Sequence, residues 1–195
     1  WAKVNLDEAM VCTPGLGCAL VAGCALSGAA GDRPGFGWFF GGDAAINSLA
    51  MSSAGMKAAV AEGLRFFAKY QRADGKITHE ISQSARWLRW FEDFPYAYYH
   101  ADTTPLFLSA LADYVRATGD DETAAALWPA AERAFAFCRS TDEDGDGLMD
   151  NTKAGLVIET GALRSTDVQT DVFLATVWTE ASAAMVDLAR LAIRP

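Results

Sequence analysis

The residues best suited to chemistry lie on one connection, Gly75 to Pro105, which reads GKITHEISQSARWLRWFEDFPYAYYHADTTP. It holds both histidines of the chain, His79 and His100, and the acids Glu80, Glu92, Asp93 and Asp102. Seven aromatics, among them Trp87, Trp90, Tyr98 and Tyr99, are interleaved with those acids over residues 87–99. Aromatic rings stack on the C–H faces of pyranoses, while carboxylates and imidazoles pair with hydroxyls. That mixture suits a sugar cleft, although about half of these rings are expected to pack between helices. A second stretch, Arg33 to Met51, puts Phe36, Trp38, Phe39 and Phe40 on a glycine-rich loop and Asp43 at the start of a helical pattern. Taken alone, it reads more simply as a capping Asp beside core aromatics. Glycoside hydrolysis needs a protonated carboxyl and a second carboxylate across the sugar. Spacing alone selects no such pair here.

A third stretch, Asp142-Glu143-Asp144-Gly145-Asp146-Gly147, matches the first half of an EF-hand loop, with Asp142, Asp144 and Asp146 at positions 1, 3 and 5. Lys153 occupies position 12, where a bidentate Glu belongs. The preferred reading is a solvated acidic turn without a cofactor, with calcium as the alternative. No nucleophile elbow lies near either histidine, and no phosphate-binding glycine loop leads into a helix with a Lys.

Composition sets the frame. The chain has 195 residues, 51% hydrophobic and 21% charged, with a net charge of -9. It is long enough for one domain with a substantial core, and its charge disfavours nucleic acid and anionic membranes as partners. No run is read as a membrane span or a signal peptide. The compartment is left open between cytoplasmic and exported. The first three of the four cysteines, Cys12, Cys18 and Cys24, are six residues apart, which fits no zinc spacing. Buried free thiols are expected, and a Cys12–Cys18 or Cys18–Cys24 disulfide is the alternative for an exported chain.

The elements that must position these residues are helical. Helices are expected over about 43–53, 56–72, 102–118, 121–139 and 168–192, with Pro129 kinking or restarting the fourth. Residues 1–34 read as an irregular lead-in after a short helical pattern, and 35–195 as helical hairpins. Asp43, Asp102 and Asp167 each open a helix, at intervals of 59 and 65 residues. A hairpin period of this size predicts an all-α array or toroid. Its tight turns are chemically plain, and its long loops carry the aromatics and acids. Hairpins that alternate in direction gather those loops at one mouth.

Several blocks resemble a known family. WFFGGDAAINSLAM resembles the W-F-x-G-R-D motif of amylo-α-1,6-glucosidases, the glucosidase part of glycogen-debranching enzymes. GKITHEIS, HADTTPLFLSALADYVRATGD and DEDGDGLMDN resemble further blocks in the same order. The resemblance implies an (α/α)6 barrel and an inverting glycosidase acting on α-glucosides, with residues 1–195 supplying the N-terminal half of the barrel. It implies that Asp43 grips hydroxyls of a terminal glucose beside Trp38, and that His79, Glu80, His100 and Asp102 line the cleft. Trp90, Glu92 and Tyr99 join them from the aromatic loop. The family's Arg before the motif Asp is Gly42 here. Leu163 stands where its general-acid Asp belongs, so Glu159 is the candidate acid and Asp167 the second. The general base is expected beyond residue 195, so this half alone is expected to be inactive. The partners implied are a carbohydrate and the remainder of the same barrel. The alternative is a regulatory protein that keeps the cleft and binds sugar without turnover.

Overall fold

A computed structural model describes residues 2–23, 37–156 and 168–192. Among them the chain is mostly helical, with eight α-helices and four short strands. The lead-in is more ordered than its composition suggests. Helix α1 (Ala2–Glu8) is followed by a β-hairpin of β1 (Met10–Thr13) and β2 (Gly17–Leu20). The turn Thr13-Pro14-Gly15-Leu16 reverses the chain, and Gly15 takes a positive φ of 85° there. Cys12 and Cys18 face each other across the hairpin and form a disulfide. The expectation of free thiols is thereby corrected for this pair, in favour of the first of the two disulfide alternatives. Strands of four residues with no apolar alternation leave little trace in a sequence, which is why 1–34 read as irregular.

The hairpin continues into the site. Val21 bridges to Phe39, the first residue of β3 (Phe39–Phe40), and β3 pairs antiparallel with β4 (Glu80–Ile81). This narrow ribbon links the disulfide to Glu80 through hydrogen-bonded backbone.

Two helical hairpins form the body. Helix α2 (Gly41–Ser53) turns at residues 54–56 into α3 (Lys57–Lys69). After the long connection, with its single-turn α4 (Trp90–Asp93), comes α5 (Thr103–Thr118). Gly119 ends α5 in the left-handed conformation, φ 67°, as the Thr-Gly-Asp signal implies. Helix α6 (Asp121–Ser140) follows at once, its first turn capped by Asp120, which accepts from Thr123 N. Pro129 lies inside α6, and the helix continues through it. The expected restart is therefore absent. One turn, α7 (Asn151–Ala154), precedes α8 (Val172–Ala192).

The helices run in register. Gly42 in the first turn of α2 lies against Asp102 and Thr103 at the start of α5. Asp171 before α8 is in electrostatic reach of Asp102, and near the far ends Arg116 of α5 pairs with Asp187 of α8 at 3.4 Å. Helices α5 and α8 are thus parallel. On α3 and α6, Arg65 donates to Thr123 and Gln71 donates to Ala130 O, so these two also rise together, antiparallel to their hairpin mates. The core between the layers includes Phe67, Leu108, Leu111, Ala131 and Leu188, each at most 4% exposed. By length and composition α8 could cross a membrane. Here its apolar side, with Leu174, Trp178, Ala181 and Leu188, is buried in the core, while Val172 in its first turn is 85% exposed.

Candidate functional site

The starts of α2, α5 and α8 gather at one end of the molecule, and the acids gather with them. Helix α2 begins two residues before Asp43, with Phe40 as its cap residue, so Asp43 sits exposed in the first turn. An acid there still faces the positive end of the helix. Gly41 is obligatory, since a Cβ would collide with the carbonyl of Thr78. That close approach lets Gly41 N donate to His79 O at 2.7 Å and ties α2 to the segment carrying His79 and Glu80.

His79 and His100 stack face to face, centroids 3.7 Å apart and planes within 10°. Each has an acid beside it. His79 Nε2 lies 3.7 Å from Glu80 Oε2, and His100 Nδ1 lies 3.7 Å from Asp102 Oδ1. Both acids are buried, Glu80 at 2% and Asp102 at 3% exposure. Burial pushes the Asp102 carboxyl up to about 6, helped by the like charges of Asp43 and Asp171 and opposed by hydrogen bonds from backbone N–H groups. Lys76, also buried, donates to Ala154 O, and desolvation draws its pKa down to about 7.

The aromatics divide. Trp38 packs edge-on against Trp90, centroids 5.1 Å apart, and Trp90 is buried with its Nε1 donating to Glu80 O. Trp90 therefore supports the strand that carries Glu80. Phe40 meets His79 edge-on. Glu92 and Tyr99 are exposed and line a separate open cleft with Arg72, Phe91, Asp93 and Tyr98. The structure thus brings Trp38, Asp43, His79, Glu80, Trp90, His100 and Asp102 into one region and leaves Glu92 and Tyr99 beside it. Glu159 and Asp167 lie outside the described residues. The last described residue before them, Leu156, bridges to His100 and donates to Tyr99 O.

Asp171 was missed as a helix opener because Asp167 fits the interval equally well. Asp171 is the acid that caps α8, accepting from Leu174 N. Ligand oxygens of Asp142, Asp144 and Asp146 lie within 4.8 Å of one another and could hold a metal ion. Asp142 also accepts from Gly145 N and Gly147 N, hydrogen bonds that hold the turn.

Compared with known proteins, the chain has no significant match to a family model, a curated protein or a solved structure.

Proposed function

We propose that this chain is part of an (α/α)6 toroid that acts as a glycoside hydrolase on α-glucosidic bonds, with inversion. The observation that carries the reading is the cluster at the starts of α2, α5 and α8, where Asp43, the His79–His100 stack, Glu80 and Asp102 lie together beside Trp38. Like-directed helices inside (α2, α5, α8), with the returning α3 and α6 packed together, support a toroid whose mouth lies at that end. Asp43 and His100 would hold hydroxyls, Trp38 would take a ring face, and Trp90 would brace Glu80. Glu159 would be the general acid and Asp167 the second choice, a reading supported by Leu156, three residues before Glu159, which bridges to His100. The general base would come from the remainder of the barrel. In this reading Glu92 and Tyr99 extend the binding surface outward. If Asp142, Asp144 and Asp146 take a metal, calcium suits three hard carboxylates.

A second reading, sugar binding without turnover, is favoured by one observation. Gly42 leaves no cation where the resembled motif has an Arg.

Titration of maltooligosaccharides into the chain by calorimetry tests the shared element of both readings. Binding that weakens at least tenfold in Asp43→Ala is expected. No binding by the folded chain would refute both. Turnover of maltose or isomaltose by the complete barrel, lost in Glu159→Gln, separates hydrolase from binder.

A further inference from the structure

Lys76 is a buried ammonium to which the proposed reading gives no role. The residue is 3% exposed, and its Nζ donates to the carbonyl of Ala154. Around it lie Arg72 and Asp74 on its own connection, Asp102 at the start of α5 and Cys138 on α6, with the Phe137 ring centroid 5.7 Å from Nζ. Among the described residues Lys76 forms no ion pair. Burying an ammonium without a paired acid costs folding free energy. Methionine has nearly the same length and would fill the space without that cost. What lysine adds is a charged donor, and the donor goes to one carbonyl.

That carbonyl belongs to the backbone that brackets His100. Ala154 ends α7, and the last carbonyls of a helix have no partner within it. Gly155 follows with φ 131°, and a Cβ on it would collide with Tyr99 O and stand 2.9 Å from Lys76 Nζ. Glycine lets the chain pass between the two. Leu156 comes next. Its N–H donates to Tyr99 O at 2.8 Å, and its carbonyl accepts from Ala101 N at 3.2 Å, one bond on each side of His100. Along its own backbone, Lys76 lies three residues before His79, whose N–H donates to Ala97 O. Lys76 thus joins the segment that carries one ring of the stack to the segment that fixes the other.

We infer that Lys76 is a positioning residue of the candidate site: by holding Ala154 O it sets Leu156 against His100 and keeps the two imidazoles stacked. The inference rests on the carbohydrate reading above only for the ligand that the stack serves. Without this hydrogen bond the end of α7 and Leu156 are released, and His100 loses the backbone on either side of it. A stack with centroids 3.7 Å apart tolerates little such movement.

The chain has only two histidines, so the imidazole proton resonances of the 195-residue chain report the stack directly. Each ring lies in the shielding zone of the other, and both sets of signals are expected upfield of free histidine. Lys76→Met is expected to lose at least half of that shift while its melting temperature stays level or rises. Lys76→Arg, which keeps a charged donor, is expected to retain most of it. Maltooligosaccharide affinity is expected to follow, weakening at least tenfold in Lys76→Met and less than threefold in Lys76→Arg. Unchanged imidazole shifts in folded Lys76→Met would overturn the inference. Equal losses in the two folded variants would overturn it too, since side-chain packing would then be the cause. The wild type supplies a measurement that needs no variant to fold. Its Ala101 and Leu156 amides are expected to exchange with solvent as slowly as those of α5, and rapid exchange at either would overturn the inference. Because the imidazole and exchange readouts need no sugar, they decide it even where no maltooligosaccharide binds and the carbohydrate reading fails.

Discussion

Asp102 shows how one side chain can carry a site. It sits where α5 starts, enclosed by protein, with like-charged neighbours in the first turn of α2 and just before α8. A carboxyl whose pKa is raised by folding binds its proton more tightly in the folded state than in the unfolded one. Its contribution to stability is therefore complete below its ordinary value of 3.8 and fades as pH rises through about 6. The difference is on the order of 3 kcal/mol. Urea unfolding is expected to show wild-type stability falling from pH 4 to pH 7, with that slope flattened in Asp102→Asn. A variant profile parallel to the wild type would show that another group causes the fall. Asp102 was legible in the sequence because Asp-Thr-Thr-Pro is a helix-start signal. Asp171 was not, because two acids four residues apart fit the same interval and only the start of α8 at Val172 decides between them. The place of Gly42 was legible only as a missing Arg. Its contact with Asp102 and Thr103 depends on how α2 and α5 meet, and no local pattern encodes that.

At the scale of elements, the disulfide hairpin is what the sequence hid. Its helices announced themselves through apolar periodicity, and Gly119 ended α5 where the turn residues said it would. The hairpin has no such signature, and its pairing depends on β2 lying against α3. There Lys69 and Tyr70 both donate to Leu16 O, and Leu16, Ala19 and Leu20 are buried. Because Val21 bridges to Phe39 and Phe40 pairs with Glu80, order in the hairpin passes directly to the site. Closing so short a loop removes unfolded-state entropy worth about 2 kcal/mol. A combined Cys12→Ser and Cys18→Ser variant is accordingly expected to melt roughly 4–8 °C lower. Its near-ultraviolet circular dichroism from the Trp38–Trp90 pair should also weaken, since that pair flanks the ribbon. Loss of stability with an unchanged tryptophan signal would show that the hairpin is independent of the site.

The whole molecule presents apolar faces that its own described residues leave uncovered. On α2 these are Ile46 and Leu49, 48% and 41% exposed; on α8 they are Val172, Phe173 and Val186, 85%, 39% and 51% exposed. They lie on α2 and α8, the two outer helices of the α2–α5–α8 layer. A closed toroid would place another hairpin against each flank, and the same residues would become core. The two situations differ in what a charge costs. On the 195-residue chain, Ile46→Lys and Val186→Lys each replace a side chain about half open to water, and each should change stability by less than about 0.5 kcal/mol. In a polypeptide that completes the ring, each would put an unpaired ammonium into an apolar contact and should cost at least about 2 kcal/mol. Chemical unfolding of both variants in both lengths of chain makes the comparison. A large cost only in the longer form is the expected result. Equal tolerance in both would mean that these flanks face solvent in the finished protein, and the toroid would have to be given up while the cluster around Asp102 stood unaltered.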